Sequence, residues 1–250
     1  ILIDGVRLND PTNNRGGGYD LSSLDPSSIE RVEIIRGAGS AMYGADAMGG
    51  IVNIVTKRGK LGGIGGSVRG EVGGQGYRQA QGSVSFGSNR FQGLIGALKL
   101  KDGRKEDGGE LDLKSFHGSL SFQPTESSDI RVYARRNDRD STAFPESSGG
   151  IRLAINRDLE QRDAKETIYG ADFSFDPSEK IELNLKLANY QRDEDKNTPA
   201  IAPADPGDPF TGIPAATSSI DFERKSALVS ALFRLPLNTD ITVGYEHLRE

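Results

Sequence analysis

The chain has 250 residues, 27% charged and 35% hydrophobic, with 31 basic against 36 acidic residues and a net charge of −5, enough for one large domain or two small ones. With no cysteine, disulfide frameworks, Cys-based zinc sites and thiol nucleophiles are excluded, and two isolated histidines, His117 and His247, leave little from which to build a metal or haem site, so no cofactor is expected. The charges are interspersed without a basic stripe, which argues against nucleic acid as a partner, and no run approaches the 18 apolar residues of a membrane-crossing helix.

Residues 1–60 read as a small mixed α/β unit. Ile1-Leu2-Ile3 runs into Asp4-Gly5, a turn signal, and then into Val6-Arg7-Leu8; Asn9 to Tyr19 is a polar, glycine-rich loop. Asp25-Pro26-Ser27-Ser28 has the form of a helix start, with proline in the first turn. Val32, Ile34 and Ile35 make a short strand ending at Arg36-Gly37, and Ile51 to Val55 make another. Of the 32 glycines, 22 precede residue 101. The run from Gly37-Ala38-Gly39 to Gly49-Gly50 satisfies neither Gly-x-Gly-x-x-Gly nor a phosphate loop with its Lys-Ser or Lys-Thr, and no Gly-x-Ser-x-Gly elbow exists. These glycines therefore read as tight turns and close packing, and the chain as no enzyme.

From about residue 65 onward the period changes to two. One face of 77–86 carries Ala80, Gly82, Val84 and Phe86, and the other Gln79, Gln81, Ser83 and Ser85. The same split separates Phe116, Gly118, Leu120 and Phe122 from Ser115, His117, Ser119 and Ser121, and Ile181, Leu183, Leu185 and Leu187 from Glu182, Asn184 and Lys186. Weaker versions lie near 65–73, 91–100, 130–138, 167–175, 226–234 and 240–248, about nine strands in all. At about nine or ten residues they match a tilted membrane-spanning strand better than a soluble one of five or six.

The connections alternate. Ser88-Asn89, 124–128, 176–180 and 236–239 are tight, whereas 101–112, 139–166 and 192–225 are long, the parity of an outer-membrane barrel with short periplasmic turns and long outer loops. Five prolines (Pro199, Pro203, Pro206, Pro209, Pro214) fall in the longest loop and none in an expected strand. A soluble β-sandwich explains the alternation equally well, but strand length and structureless loops of some 30 residues count against it.

The stretch Ile29-Glu30-Arg31-Val32-Glu33-Ile34-Ile35-Arg36-Gly37, with Ser40-Ala41-Met42-Tyr43-Gly44, Ala47-Met48-Gly49-Gly50 and Ile51-Val52-Asn53-Ile54-Val55-Thr56-Lys57, resembles the plug domain of TonB-dependent outer-membrane receptors, and Ile1 to Leu8 resembles that plug's upstream strand and turn. Ala38 stands where the family usually has proline. The resemblance implies a mostly β fold: residues 1–60 as the C-terminal portion of a plug, and 61–250 as the first antiparallel strands of an incomplete transmembrane barrel, 22-stranded in the family. The chain would then be a fragment without the TonB box.

Further expectations follow from that resemblance. Asn9, Asn13, Asn14, Arg15 and Tyr19 would lie at a plug apex facing external ligand, where Arg and amide groups suit polyoxygenated anions. Glu30, Arg31, Glu33 and Arg36 would form a charge lock with the inward-facing wall, whose candidates are Arg69, Glu71, Arg131, Arg135, Glu182 and Lys186; the bland reading of both sets is solvated surface. The acidic run Asp193-Glu194-Asp195 reads as loop and no metal site is expected. The implied function is active import of a scarce ligand, a ferric siderophore first, with cobalamin, haem or a glycan behind it, across the outer membrane of a Gram-negative bacterium. The implied partners are TonB with ExbB and ExbD, the ligand and outer-membrane lipid. A passive barrel or adhesin is the alternative.

Overall fold

The computed structural model describes residues 1–9, 19, 21, 24–37, 49–60, 62–103, 108–203, 212–237 and 239–250. Two sheets form, one from each end of the chain. The first has the order β2-β1-β4-β3, from β1 (Leu2–Ile3), β2 (Val6–Arg7), β3 (Ile29–Arg36) and β4 (Gly50–Thr56). β1 and β2 are joined by Asp4 and Gly5 at φ 50° and 87°, the two positive dihedrals of a type I′ hairpin turn, which an Asp-Gly pair tolerates. β1 also pairs parallel with β4, and β3 pairs antiparallel with it. The helix start expected at Asp25 is a single 3₁₀ turn, Pro26–Ser28, capped by the Asp25 carboxylate accepting from the Ser27 amide. Ile3, Val6, Leu8, Leu24 and Ile54 form the core of this unit, and Ile168, Tyr190 and Phe222 of the second sheet close it.

The second sheet has nine strands in strict sequence order, every neighbour antiparallel. They are β5 (Gly63–Val72), β6 (Arg78–Gly87), β7 (Phe91–Asp102), β8 (Glu110–Phe122), β9 (Ser128–Ala143), β10 (Glu160–Ser178), β11 (Ile181–Thr198), β12 (Ala216–Leu235) and β13 (Thr239–Arg249). All nine expected strands are present, but β9 to β12 are much longer than expected, at 16, 19, 18 and 20 residues. The extra length comes from 139–143 with 160–166 and from 192–198 with 216–224, ladders of continuous register where loops were expected. Both faces there are polar, so no alternation marks them as strand. Pro177 lies within β10, at the irregularity where the register shifts between Phe175 and Ser178.

The two faces of this sheet are chemically opposite. Ser115, Ser119, Ser121, Arg131, Arg135 and Asn137 are buried on one side, while Ile95, Phe116, Leu120, Val132, Leu187 and Val229 are exposed on the other. The N-terminal unit sits on the polar face, as its contacts with β8, β9, β10 and β13 show. Two glycines make room for rings on that face. Gly96 lies directly opposite His117 and Gly170 directly opposite Tyr133, and a Cβ on either glycine would come within 2.4–2.5 Å of the ring or hydroxyl across from it.

Candidate functional site

The densest chemistry lies where the N-terminal unit meets the polar wall. At its centre the Asp4 carboxylate, presented by the hairpin turn, accepts from the Thr56 amide (2.9 Å) and hydroxyl (2.6 Å), which ties β1 to the end of β4. The same carboxylate accepts from Arg131 Nη2 of β9 at 3.2 Å, and that nitrogen also donates to Thr56 Oγ1 at 2.8 Å. Arg131 is 2% exposed. Asp172 on β10 stands 3.9 Å away, and the guanidinium lies 5.0 Å over the Tyr133 ring, so the buried cation is enclosed by two carboxylates and an aromatic face.

A second contact grips the 3₁₀ turn. Asp25 is fully buried; one oxygen caps Ser27, and the other lies 3.5 Å from Nδ1 of His117 on β8. Arg135 on β9 donates to the Ser28 hydroxyl, which itself donates to the Asp25 carbonyl at 2.8 Å. Lys57 closes the turn from behind by donating to the Ser27 carbonyl at 2.8 Å. One wall guanidinium, one wall imidazole and Lys57 of the N-terminal unit thus surround one short backbone turn.

A third contact lies further along the wall. The Tyr19 hydroxyl donates to Glu166 of β10 at 2.8 Å, and burial followed by the Glu166 charge pushes the Tyr19 ionisation well above its ordinary value. Glu166 belongs to a balanced network in which Arg192 pairs with Glu194, Arg162 lies 3.3 Å from Glu194 and 3.5 Å from Glu160, and Lys196 lies 3.0 Å from Glu160. At the opposite flank Arg7 pairs with Glu246 of β13 at 2.6 Å, and Arg224 of β12 donates to the Arg7 carbonyl at 3.1 Å. This arrangement holds the N-terminal unit in place on the wall.

Asn13, Asn14 and Arg15 lie outside the described residues. Asn9 is half-buried and its side-chain oxygen accepts from the Ile1 nitrogen. Tyr19, expected to face ligand, is instead buried against Glu166. Glu30, Arg31, Glu33 and Arg36 sit on β3, where Arg31 pairs with Glu30 (3.2 Å) and Glu33 (2.8 Å) and Arg36 is exposed. Glu33 also accepts from Asn53 at 2.9 Å, and that bond, then Arg31, holds its carboxyl below the usual range. Of the wall candidates, Arg131 and Arg135 reach the N-terminal unit and Lys186 lies beside Gly5, whereas Arg69 pairs with Glu71 and Glu182 with Arg234.

Sequence reasoning therefore missed Asp4, Asp25, Ser28 and Thr56, the residues by which the unit is held. Asp4 and Asp25 carry turn and cap signals that fully explain their local presence, and those signals masked the second role. The available hint was chemical: asparagine or serine would serve either position without bringing a charge into a site that buries it.

Residues 1–51 match the family model described as TonB-dependent Receptor Plug Domain. The chain is 34% identical over 123 residues to the vitamin B12 transporter BtuB of Vibrio vulnificus, covering 49% of this chain and 18% of that protein. It is 36% identical over 119 residues to the rhizobactin receptor of Rhizobium meliloti, covering 43% of this chain and 15% of that protein. The structure superposes on 99% of its length with the ferric enterobactin receptor PfeA of Pseudomonas aeruginosa at a TM-score of 0.73 and 17% identity, covering 40% of that chain. The chain thus spans less than half the length of these relatives, and its nine-strand sheet has the fold of their barrels.

Proposed function

We propose that this chain, whose residues 1–51 match a TonB-dependent receptor plug domain and whose strands carry the matching barrel fold, is part of an outer-membrane receptor that imports a scarce ligand on energisation by TonB with ExbB and ExbD. The observation that carries this reading is a small N-terminal unit held by the buried Asp4–Arg131 ion pair and by the buried Tyr19–Glu166 hydrogen bond on the polar face of a long-stranded sheet whose other face is apolar and exposed. A passive pore has no use for such a unit. An apolar outer face with a polar inner face is what a barrel in lipid requires.

In this reading the plug closes the barrel at rest, ligand is received on the long-loop side, and TonB remodels the plug to open a path. Asp4–Arg131, Asp25–His117 and Tyr19–Glu166 are the holds that remodelling must release. The charges of β3, Glu30, Arg31, Glu33 and Arg36, would lock against wall elements beyond the nine strands, and Asn9, Asn13, Asn14 and Arg15 would contribute to the ligand-facing apex. A ferric siderophore is the proposed ligand, supported by the rhizobactin and ferric enterobactin receptors among the relatives. The test is growth of a strain lacking the receptor on a panel of ferric siderophores and cobalamin under limitation, with and without TonB. Rescue by one ferric chelate that needs TonB is expected; rescue by cobalamin alone would replace the ligand, and rescue without TonB would remove the energised mechanism.

A further inference from the structure

The grip on the 3₁₀ turn includes one wall side chain of the kind that changes charge near neutral pH. Of the chain's two histidines, His247 on β13 is exposed, whereas the His117 side chain is 9% exposed and sits between plug and wall. Its Nδ1 lies 3.5 Å from the fully buried Asp25 carboxylate, and neither that nitrogen nor the facing Asp25 oxygen makes a hydrogen bond. Its Nε2 is seated against Gly96 of β7, where a Cβ would come within 2.4 Å of it.

The ring is faced by charge from three elements. The plug presents Asp25 from the 3₁₀ turn and Lys57 from the end of β4, and β9 presents Arg135, directly opposite His117 in register and with its Nη1 unpartnered. β7 contributes Gly96 between Leu94 and Leu98, and β8 flanks the ring with Ser115 and Ser119. A cavity of about 20 Å³, room for about one water molecule, joins His117 to Asp4, Lys57, Ser119, Tyr133 and Arg135.

With a neutral imidazole the ionised groups around this junction balance, Asp4, Asp25 and Asp172 against Lys57, Arg131 and Arg135. A proton on the ring adds a positive charge where the carboxylates are already engaged. Asp4 and Asp172 enclose Arg131, and one Asp25 oxygen accepts from the Ser27 amide and hydroxyl, which leaves a single oxygen to face the ring and two cations. The cavity has no room for a hydrated anion. Burying an uncompensated charge is costly, and separating plug from wall removes the cost.

We propose that His117 makes the seating of the plug acid-labile: proton uptake by its ring releases the wall's grip on Asp25 and Ser28 and loosens the plug. The hold is complete at neutral pH and above, and weakens as pH falls below about 6.5. This regulation rests on the plug reading above.

The test uses the full-length receptor, its folded barrel checked by heat-shifted gel migration, inserted in planar lipid bilayers, with ion conductance recorded at about pH 7.5 and about pH 5.5. The unaltered receptor is expected to conduct roughly tenfold more at the lower pH. His117→Gln and His117→Asn, both neutral at either pH, should lose that ratio, and His247→Gln should keep it. Because the ratio is read, a variant that loosens the plug by losing a contact still reports whether acid acts through residue 117. A flat profile in the unaltered receptor, a rise that survives in both His117 variants, or a conductance that falls on acidification would overturn the inference. An unaltered receptor that conducts freely at both values would remove the plug reading and the inference together, whereas one closed at both removes the inference alone.

Discussion

Asp4 carries three duties at one position: it adopts the left-handed turn, ties β1 to Thr56 and receives Arg131. Removing one partner of a buried pair leaves the other charge uncompensated, at a cost on the order of 3–5 kcal/mol. Asp4→Ala and Arg131→Ala should each loosen the plug, and the double variant should cost much less than the sum of the two, measured as leakage of a bulky antibiotic through the receptor in cells. Additive leakage would show that the two residues act separately. Tyr19 gives a pH test. Its ionisation is raised above the ordinary value near 10, so its contribution is complete below that pH and is lost as pH rises toward the folded-state value. Tyr19→Phe should therefore cost about 1–3 kcal/mol at neutral pH, by leaving Glu166 one donor short, and should flatten the alkaline limb of a stability-against-pH curve. An alkaline limb unchanged in the variant would assign it to other groups.

At the scale of elements, sequence legibility followed hydropathy. β6, β8 and the lower half of β11 separate apolar from polar rows and are plain in the sequence. The outer halves of β9 to β12 are not, because Asp140, Ser141 and Thr142 face Asp163, Arg162 and Gln161 with polar side chains on both sides. Backbone pairing, which the sequence does not display, makes them strand. The anchors were illegible for another reason: each is a single residue whose local turn or cap role already accounts for it, and only the fold brings Asp4 to Arg131, 127 positions away. Elements also set the packing tests. Gly170→Val would place a Cβ 2.5 Å from the Tyr133 hydroxyl and 2.7 Å from the Leu187 carbonyl, so the ring must leave its seat beside Arg131. The expected loss is about 1–3 kcal/mol, read as a lower unfolding temperature, and Gly244→Ala, where the contact is 3.4 Å, should change little. Similar losses at both positions would mean that the seat of the Tyr133 ring is unimportant.

For the whole molecule, plug retention and ligand reception should separate. Arg36→Ala, if β3 locks against the wall, should raise antibiotic leakage and leave ligand affinity unchanged; Asp4→Ala should do the same through the contact already seen. Loss of affinity without leakage in either variant would contradict the division between holding and receiving.

The two sheets are separate ladders: among the described residues no backbone hydrogen bond joins the plug to the wall, and every hold between them is made by at least one side chain. Each of those groups, serine, arginine, carboxylate or imidazole, can exchange its partner for a water molecule one at a time. Departure of the plug would thus be a stepwise wetting in which the strands of the wall keep their own bonds throughout. The face left behind is mixed, with Ser115, Arg131, Arg135 and Asn137 beside Ile168, Tyr190 and Phe222, so departure also wets an apolar patch, and the plug's return meets the same unaltered template.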